Sequence, residues 1–240
     1  LGLFLQSAGC RLCFIRWSFS GLITLEQVKA HPTVRAFIDK ADQQLGVIGY
    51  TEHGERHASL VASISCNILK RLGKPERVSE LASIAGYLHD IGNVINRDFH
   101  AQSGAMLAYA VLKDMGMGED ELAEIIAAIG NHHEDQGESV SDISAAIILA
   151  DKSDVHRSRV RSADMIKLDI HDRVNYAATN SFLRVVEKKK VISLELTIDT
   201  SISQLMEYFE IFLSRMLASR KAANFLSCTF EVIINGNKML

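Results

Sequence analysis

The stretch GYLHDIGNVINRDFH, residues 86–100, places His89 directly beside Asp90 at the end of an apolar run and closes on another imidazole, His100. Burying two adjacent ionisable side chains is costly unless a partner or a cation compensates them. The run before them has a helical period: in ELASIAGYLHD, Leu81, Ile84, Ala85 and Leu88 recur at steps of three and four. The doublet therefore falls at the end of a core-facing helix.

The same period extends outward on both sides. HASLVASISCNILKRL carries Leu60, Val61, Ile64, Ile68 and Leu72, and DELAEIIAAIGNHHE carries Leu122, Ile125, Ile126 and Ile129. Gly73 and Pro75 separate one pair of predicted helices, and Gly116 and Gly118 the next. Glu119 to Glu121 would occupy a first turn, where the helix dipole favours acidic groups. From Thr24 to about Arg161 the pattern predicts a helical bundle. Beyond it, DRVNYAATNSFLRVVEKKKVISLELTID is rich in Val, Thr, Phe and Ile, with a turn at Glu187 to Lys190. A hairpin, the amphipathic helix of SISQLMEYFEIFLSRMLASRKAA and one more strand in FLSCTFEVIINGNKM would make a small ββαβ unit. The expected organisation is mainly α: an arm over 1–23, a helical metal-binding domain over 24–162 and a small α+β domain over 163–240.

Composition fits a compact protein. Of 240 residues, 48% are hydrophobic and 23% charged, and two prolines leave no room for a long linker. A net charge of -3 provides no global attraction for nucleic acid or an acidic membrane surface, so neither is an expected partner. The apolar start, LGLFLQSAGCRLCFIRWSFSGLI, is broken by Arg11 and Arg16 and lacks a basic leader region; it reads as an arm on the body or as leader sequence. Cys10 and Cys13 form a C-x-x-C with no second pair to complete a zinc site, and reduced thiols in a cytoplasmic protein are the expectation.

Six of the nine histidines, His53, His57, His89, His100, His132 and His133, fall between positions 53 and 133. Helical phase brings them together. His57 is four before Val61 and seven before Ile64, His132 and His133 are seven after Ile125 and Ile126, and Asp151 is four after Ile147. Separate helices thus aim imidazole and carboxylate inward, a donor set that suits zinc, manganese and iron better than calcium or magnesium. His53 and His133 each adjoin a stronger candidate and are either further ligands or groups that orient one.

The order His57, His89-Asp90, His100, His132-His133, Asp151 resembles the HD-domain superfamily of metal-dependent phosphohydrolases, an all-helical fold, over about residues 50–161. The resemblance implies that His57, His89, Asp90 and Asp151 hold one ion, and that His100 and His132 hold a second with Asp90 bridging. The segments HDIG, HHE and DKSD look most like the HD-GYP branch. That branch's Gly-Tyr-Pro is missing here, and its lysine after HDIG is Asn93.

Two divalent ions, iron or manganese by preference and zinc or nickel as alternatives, would activate water and clamp a phosphoryl centre. The expected substrate is a small phosphate ester, a monoester or diester of a nucleotide. Lys152, Arg157 and Arg161 in DKSDVHRSRVR could neutralise phosphate charge, and Asp154 could orient water or a histidine; alternatively the basic run is a solvated helix end. Two other readings stay open: a di-iron oxygenase of the HD type, and a non-catalytic regulatory protein that dimerises through its C-terminal unit. A homodimer through that unit is an expectation in either case.

Overall fold

The computed structural model describes residues 22–133, 137–162 and 169–239. Most of the 1–23 arm, with Cys10 and Cys13, lies outside these residues, as do Glu134 and the start of the expected 163–240 domain. Among the described residues the chain is mainly α with a small β extension. Helices α1 (Leu25–Ala30) and α2 (Pro32–Val47) lead into α3 (Glu55–Arg71) and α4 (Glu76–Leu88). A 3-10 turn, Ile91–Val94, connects to α5 (His100–Asp114), and α6 (Glu119–Gly130) and α7 (Asp142–Lys152) complete the bundle.

The expected punctuation is where the helices stop. Pro75 is the N-cap of α4, and Gly73 and Gly116 take positive φ of 72° and 90° after α3 and α5. The stripe on α3 is shifted from its sequence phase. Val61 and Ile68 are fully buried, but Leu60, Ile64 and Leu72 are half-buried, and Ala58, Ala62 and Ser65 take the innermost face. Gly86 of α4 explains the choice: a Cβ there would lie 3.0 Å from Ser65 Oγ and 3.2 Å from Ala62 Cα. The two helices cross so closely that only small residues fit between them.

After the bundle come α8 (Ile170–Ala177), β1 (Ala178–Val186), β2 (Val191–Ile198), α9 (Leu205–Phe225), β3 (Thr229–Ile234) and β4 (Asn237–Lys238). Residues 170–177, where the sequence favoured extended structure, are helical because Asp169 caps the backbone N–H of His171. The sheet order is β1-β2-β3-β4, with β2 and β3 parallel and joined through α9. The final segment is two strands instead of one, since Asn235 and Gly236 both take positive φ and fold a tight hairpin. Helix α9 packs on α7, α8 and β3, and one continuous core runs from Val61 and Ile147 to Phe212 and Val232. Cys66 and Cys228 are free thiols. Among the described residues no helix is long and apolar enough to cross a membrane.

Candidate metal centre

Element ends build the site. His57 stands in the first turn of α3, His89 caps the end of α4, and Asp90 opens the 3-10 turn. His100 is the first residue of α5, His132 follows the C-cap of α6, and Asp151 lies in the last turn of α7. All six are buried; His57 and His89 have no exposed surface at all.

Each of the four imidazoles is fixed at Nδ1. His57 Nδ1 contacts Asp154 Oδ2 at 2.7 Å, and His89, His100 and His132 use Nδ1 on the carbonyls of Gly86, Arg97 and Ile129 at 2.8, 2.8 and 2.7 Å. A carbonyl or carboxylate only accepts, so Nδ1 carries the proton and Nε2 of the neutral ring presents a lone pair. These lone pairs converge in two pairs: His57 and His89 Nε2 lie 3.3 Å apart, His100 and His132 Nε2 3.2 Å. Asp90 stands between the pairs. Its Oδ2 is 3.7 and 3.4 Å from His57 and His89, and its Oδ1 is 3.4 and 3.8 Å from His100 and His132. Asp151 Oδ1 faces the first pair at 3.5 and 3.9 Å, while its Oδ2 accepts from Lys152 Nζ at 2.6 Å.

This arrangement fits metal. Two facing lone pairs repel unless a cation or proton lies between them. Nitrogens bound at ~2.0–2.1 Å on a tetrahedral ion are ~3.3 Å apart, the separation seen in both pairs. His57–His89–Asp151 and His89–Asp90–His132 each bring one ligand atom per residue within 4.8 Å of the others. With no thiolate among them, these are the donors of a nitrogen and oxygen site for a divalent ion.

Electrostatics divides the pairs. Burial pushes His100 down to about 4, against the pull of Asp90, and burial with His89 and His100 nearby lowers His132 well below its ordinary value. That pair is unprotonated at neutral pH. Burial and Arg159 lower His57 too, but Asp151 and Asp154 outweigh them and raise it. A proton there competes with a cation. Burial opposes ionisation of Asp90 and Asp151, yet His89 beside the first and Lys152 beside the second hold both well below the usual carboxylate range.

The remaining expected residues surround this centre in different ways. Asp154 is buried, binds His57 and Arg56, and so orients a histidine, one of its two expected roles. Both ring nitrogens of His53 are occupied: Nδ1 at 2.7 Å from Thr51 O and Nε2 accepting from Arg159 Nη2 at 2.8 Å. It has no lone pair left for an ion. The His133 ring is edge-on to His100, centroids 5.1 Å apart. Lys152 lies inside, on Asp151. Arg157 and Arg161 are placed elsewhere: Arg157 stacks over Tyr176, and Arg161 ties Asp42 to the carbonyls of Tyr50 and Thr51.

Sequence reasoning passed over Arg97. Its Nη1 is 3.9 Å from Asp90 Oδ1 and 3.3 Å from Asn93 Oδ1, and its carbonyl fixes His100. Asn93, where the lysine was looked for, instead holds the 3-10 turn through Asp90 O. A basic residue three before a histidine, within a candidate ligand segment, was the available signal.

Residues 54–165 match the HD domain family, a superfamily of metal-dependent phosphohydrolases. The chain is 32% identical over 139 residues to an uncharacterized protein of Methanocaldococcus jannaschii, a match covering 49% of this chain and 53% of that protein. It is also 32% identical over 107 residues to ribonuclease Y of Aster yellows witches'-broom phytoplasma, covering 43% of this chain and 18% of the relative. The chain thus spans about half the length of the first relative and under a fifth of the second.

Proposed function

We propose, from the premise that residues 54–165 are an HD domain, that the protein is a phosphohydrolase using two divalent transition-metal ions on a phosphomonoester or phosphodiester of a nucleotide. The observation that carries this reading is the pairing of four inward lone pairs, 3.3 and 3.2 Å apart, on opposite oxygens of Asp90. His57, His89, Asp151 and Asp90 Oδ2 would hold one ion, and His100, His132 and Asp90 Oδ1 the other. Such a pair, when bound, lowers the pKa of water and clamps phosphoryl oxygens. Iron and manganese suit these donors best; zinc and nickel fall within the same donor chemistry.

The chain's own groups prepare the rest. Asp154 fixes the His57 tautomer, and Lys152 balances the Asp151 oxygen that faces away from the imidazoles. Arg97 sets a donor fork beside Asp90, where a phosphoryl oxygen approaching that carboxylate would meet it. Ribonuclease Y is named for cutting RNA, which supports a phosphoester as the bond attacked.

The test is metal-loaded protein assayed against aryl phosphates, bis-aryl phosphates and nucleotides, beside a His89→Ala control. Hydrolysis that needs manganese or iron and is lost in the control is the expected result. Stoichiometric metal without turnover of any ester contradicts the reading, and oxygen consumption by the iron form would move it to the oxygenases.

A further inference from the structure

An opening of about 370 Å³ borders the second imidazole pair through His100. Tyr50, Arg97, Phe99 and His133 line it as well, and the His133 ring lies edge-on to His100 with centroids 5.1 Å apart. A molecule held in this opening therefore sits against a residue that would hold the second ion. The opening presents such a molecule with two aromatic rings, those of Phe99 and Tyr50.

Phe99 is the more informative of the two. It is 66% exposed, more than any other phenylalanine or tyrosine among the described residues, and its ring has no aromatic or cationic partner among them. Its backbone takes the left-handed region at φ 57°, which is costly for a bulky residue and open to glycine or asparagine. It is also the N-cap of α5, where serine, aspartate or asparagine would bond a free N–H, and it makes no side-chain cap. Starting the helix at His100 needs the bend but not the phenyl group. The bend, the cap and burial therefore leave this side chain unexplained, and a strained residue exposed beside a metal ligand is where a binding role is sought. Tyr50 supplies the second ring. It is 42% exposed, and the Arg97 guanidinium stacks 5.3 Å from its centroid while reaching Asp90 at 3.9 Å. A stacked tyrosine and an exposed phenyl group at one opening are the parts of a platform for a planar ring.

We propose that this opening receives the base of a nucleotide substrate: Phe99 stacks on it, with Tyr50 beside it, while the phosphate lies toward His100 and Asp90. Phe99 is then a specificity-determining residue, favouring phosphate esters of planar aromatic groups over the same sugar phosphate without a base. This rests on the phosphohydrolase reading above and deepens it, but its test does not need turnover.

Calorimetric titration of the manganese-loaded full chain with AMP and with ribose 5-phosphate, which lacks the base, provides the test, metal content being checked in every variant. Wild type should bind AMP at least about tenfold more tightly than ribose 5-phosphate. Phe99→Ala retains the Cβ and with it the backbone cost, so it removes the phenyl group alone. It should cut the preference for AMP at least about threefold, whereas Phe99→Trp, which keeps an aromatic face, should preserve it. A smaller fall in Phe99→Ala overturns the proposal, as does a wild-type preference below tenfold or a wild-type protein that binds neither probe. A Phe99→Ala protein that changes oligomeric state with the preference intact overturns it too, and assigns the ring to a contact between copies. Base preference that depends on Phe99 without turnover of any ester would sink the hydrolase reading and leave the subsite standing. Ester turnover with the preference unaltered in Phe99→Ala would do the reverse.

Discussion

Asp154 faces no second imidazole and lies outside both metal-capable trios, yet its carboxylate decides which nitrogen of His57 carries the proton. Replacing it with asparagine keeps the shape and removes the charge. Asp154→Asn should lower metal affinity by about 10–100-fold, measured by chelator competition. Arg161→Ala, whose side chain holds Asp42 and the loop before α3, should leave that affinity unchanged. Acid has a defined sign here. His100 titrates at about 4 when folded, because burial outweighs Asp90, against about 6.5 unfolded. Between those values the unfolded chain binds more protons, so metal-free stability falls as pH drops from about 6.5 toward 4 and this contribution then levels off. His57, raised in the fold, acts oppositely and only above about 6.5. Urea midpoints of chelated protein across that range check the slope; a midpoint that rises on acidification contradicts it. His57, His89, His132 and Asp151 were read from their phase on the apolar stripes, whereas Asp90 was read from its place beside His89, and His100 from the order of the family resemblance. Arg97 was not, since its guanidinium reaches Asp90 through the bend between Asn93 and His100, which no periodicity encodes.

The turn after the doublet matters as much as the doublet itself. A Cβ on Gly92 would lie 2.0 Å from His100 O and 2.5 Å from Gly104 N, so α5 can approach only if this residue is glycine. Gly92→Ala should therefore push the start of α5 outward, costing about 1–3 kcal/mol and weakening the ion shared by His100 and His132 more than the one at His57 and His89. Denaturation together with metal titration separates the two effects. At this scale the helices between Thr24 and Lys152 could be read from the three-and-four spacing and from Gly73, Pro75 and Gly116. The innermost face of α3 could not. Its Ala58, Ala62 and Ser65 carry little hydrophobic weight, and their burial is dictated by the close crossing at Gly86. Helix α8 was obscured by the Val and Tyr in DRVNYAA, and its start depends on a local cap at Asp169.

Across the molecule, the sequence suggested a boundary near residue 162, and one cluster of buried apolar side chains has members on both sides of it, in α3 and α7 and in α9 and the sheet. Calorimetry should accordingly give one cooperative unfolding transition, shifted upward by bound metal; two independent transitions would mean that the C-terminal unit stands alone. The position of α9 could not be read in one dimension either: Phe212 and Arg215 are more than a hundred residues from Arg97, and the packing of α9 on α7 brings all three to the lining of one cleft. All of this depends on ions filling the space between the two imidazole pairs. The direct measurement is elemental analysis of protein purified without chelator and supplied with manganese or iron, alongside Asp90→Ala and His100→Ala. About two ions per chain are expected, about one in His100→Ala and fewer still in Asp90→Ala, whose carboxylate would serve both. Wild-type protein that retains no stoichiometric metal would contradict it.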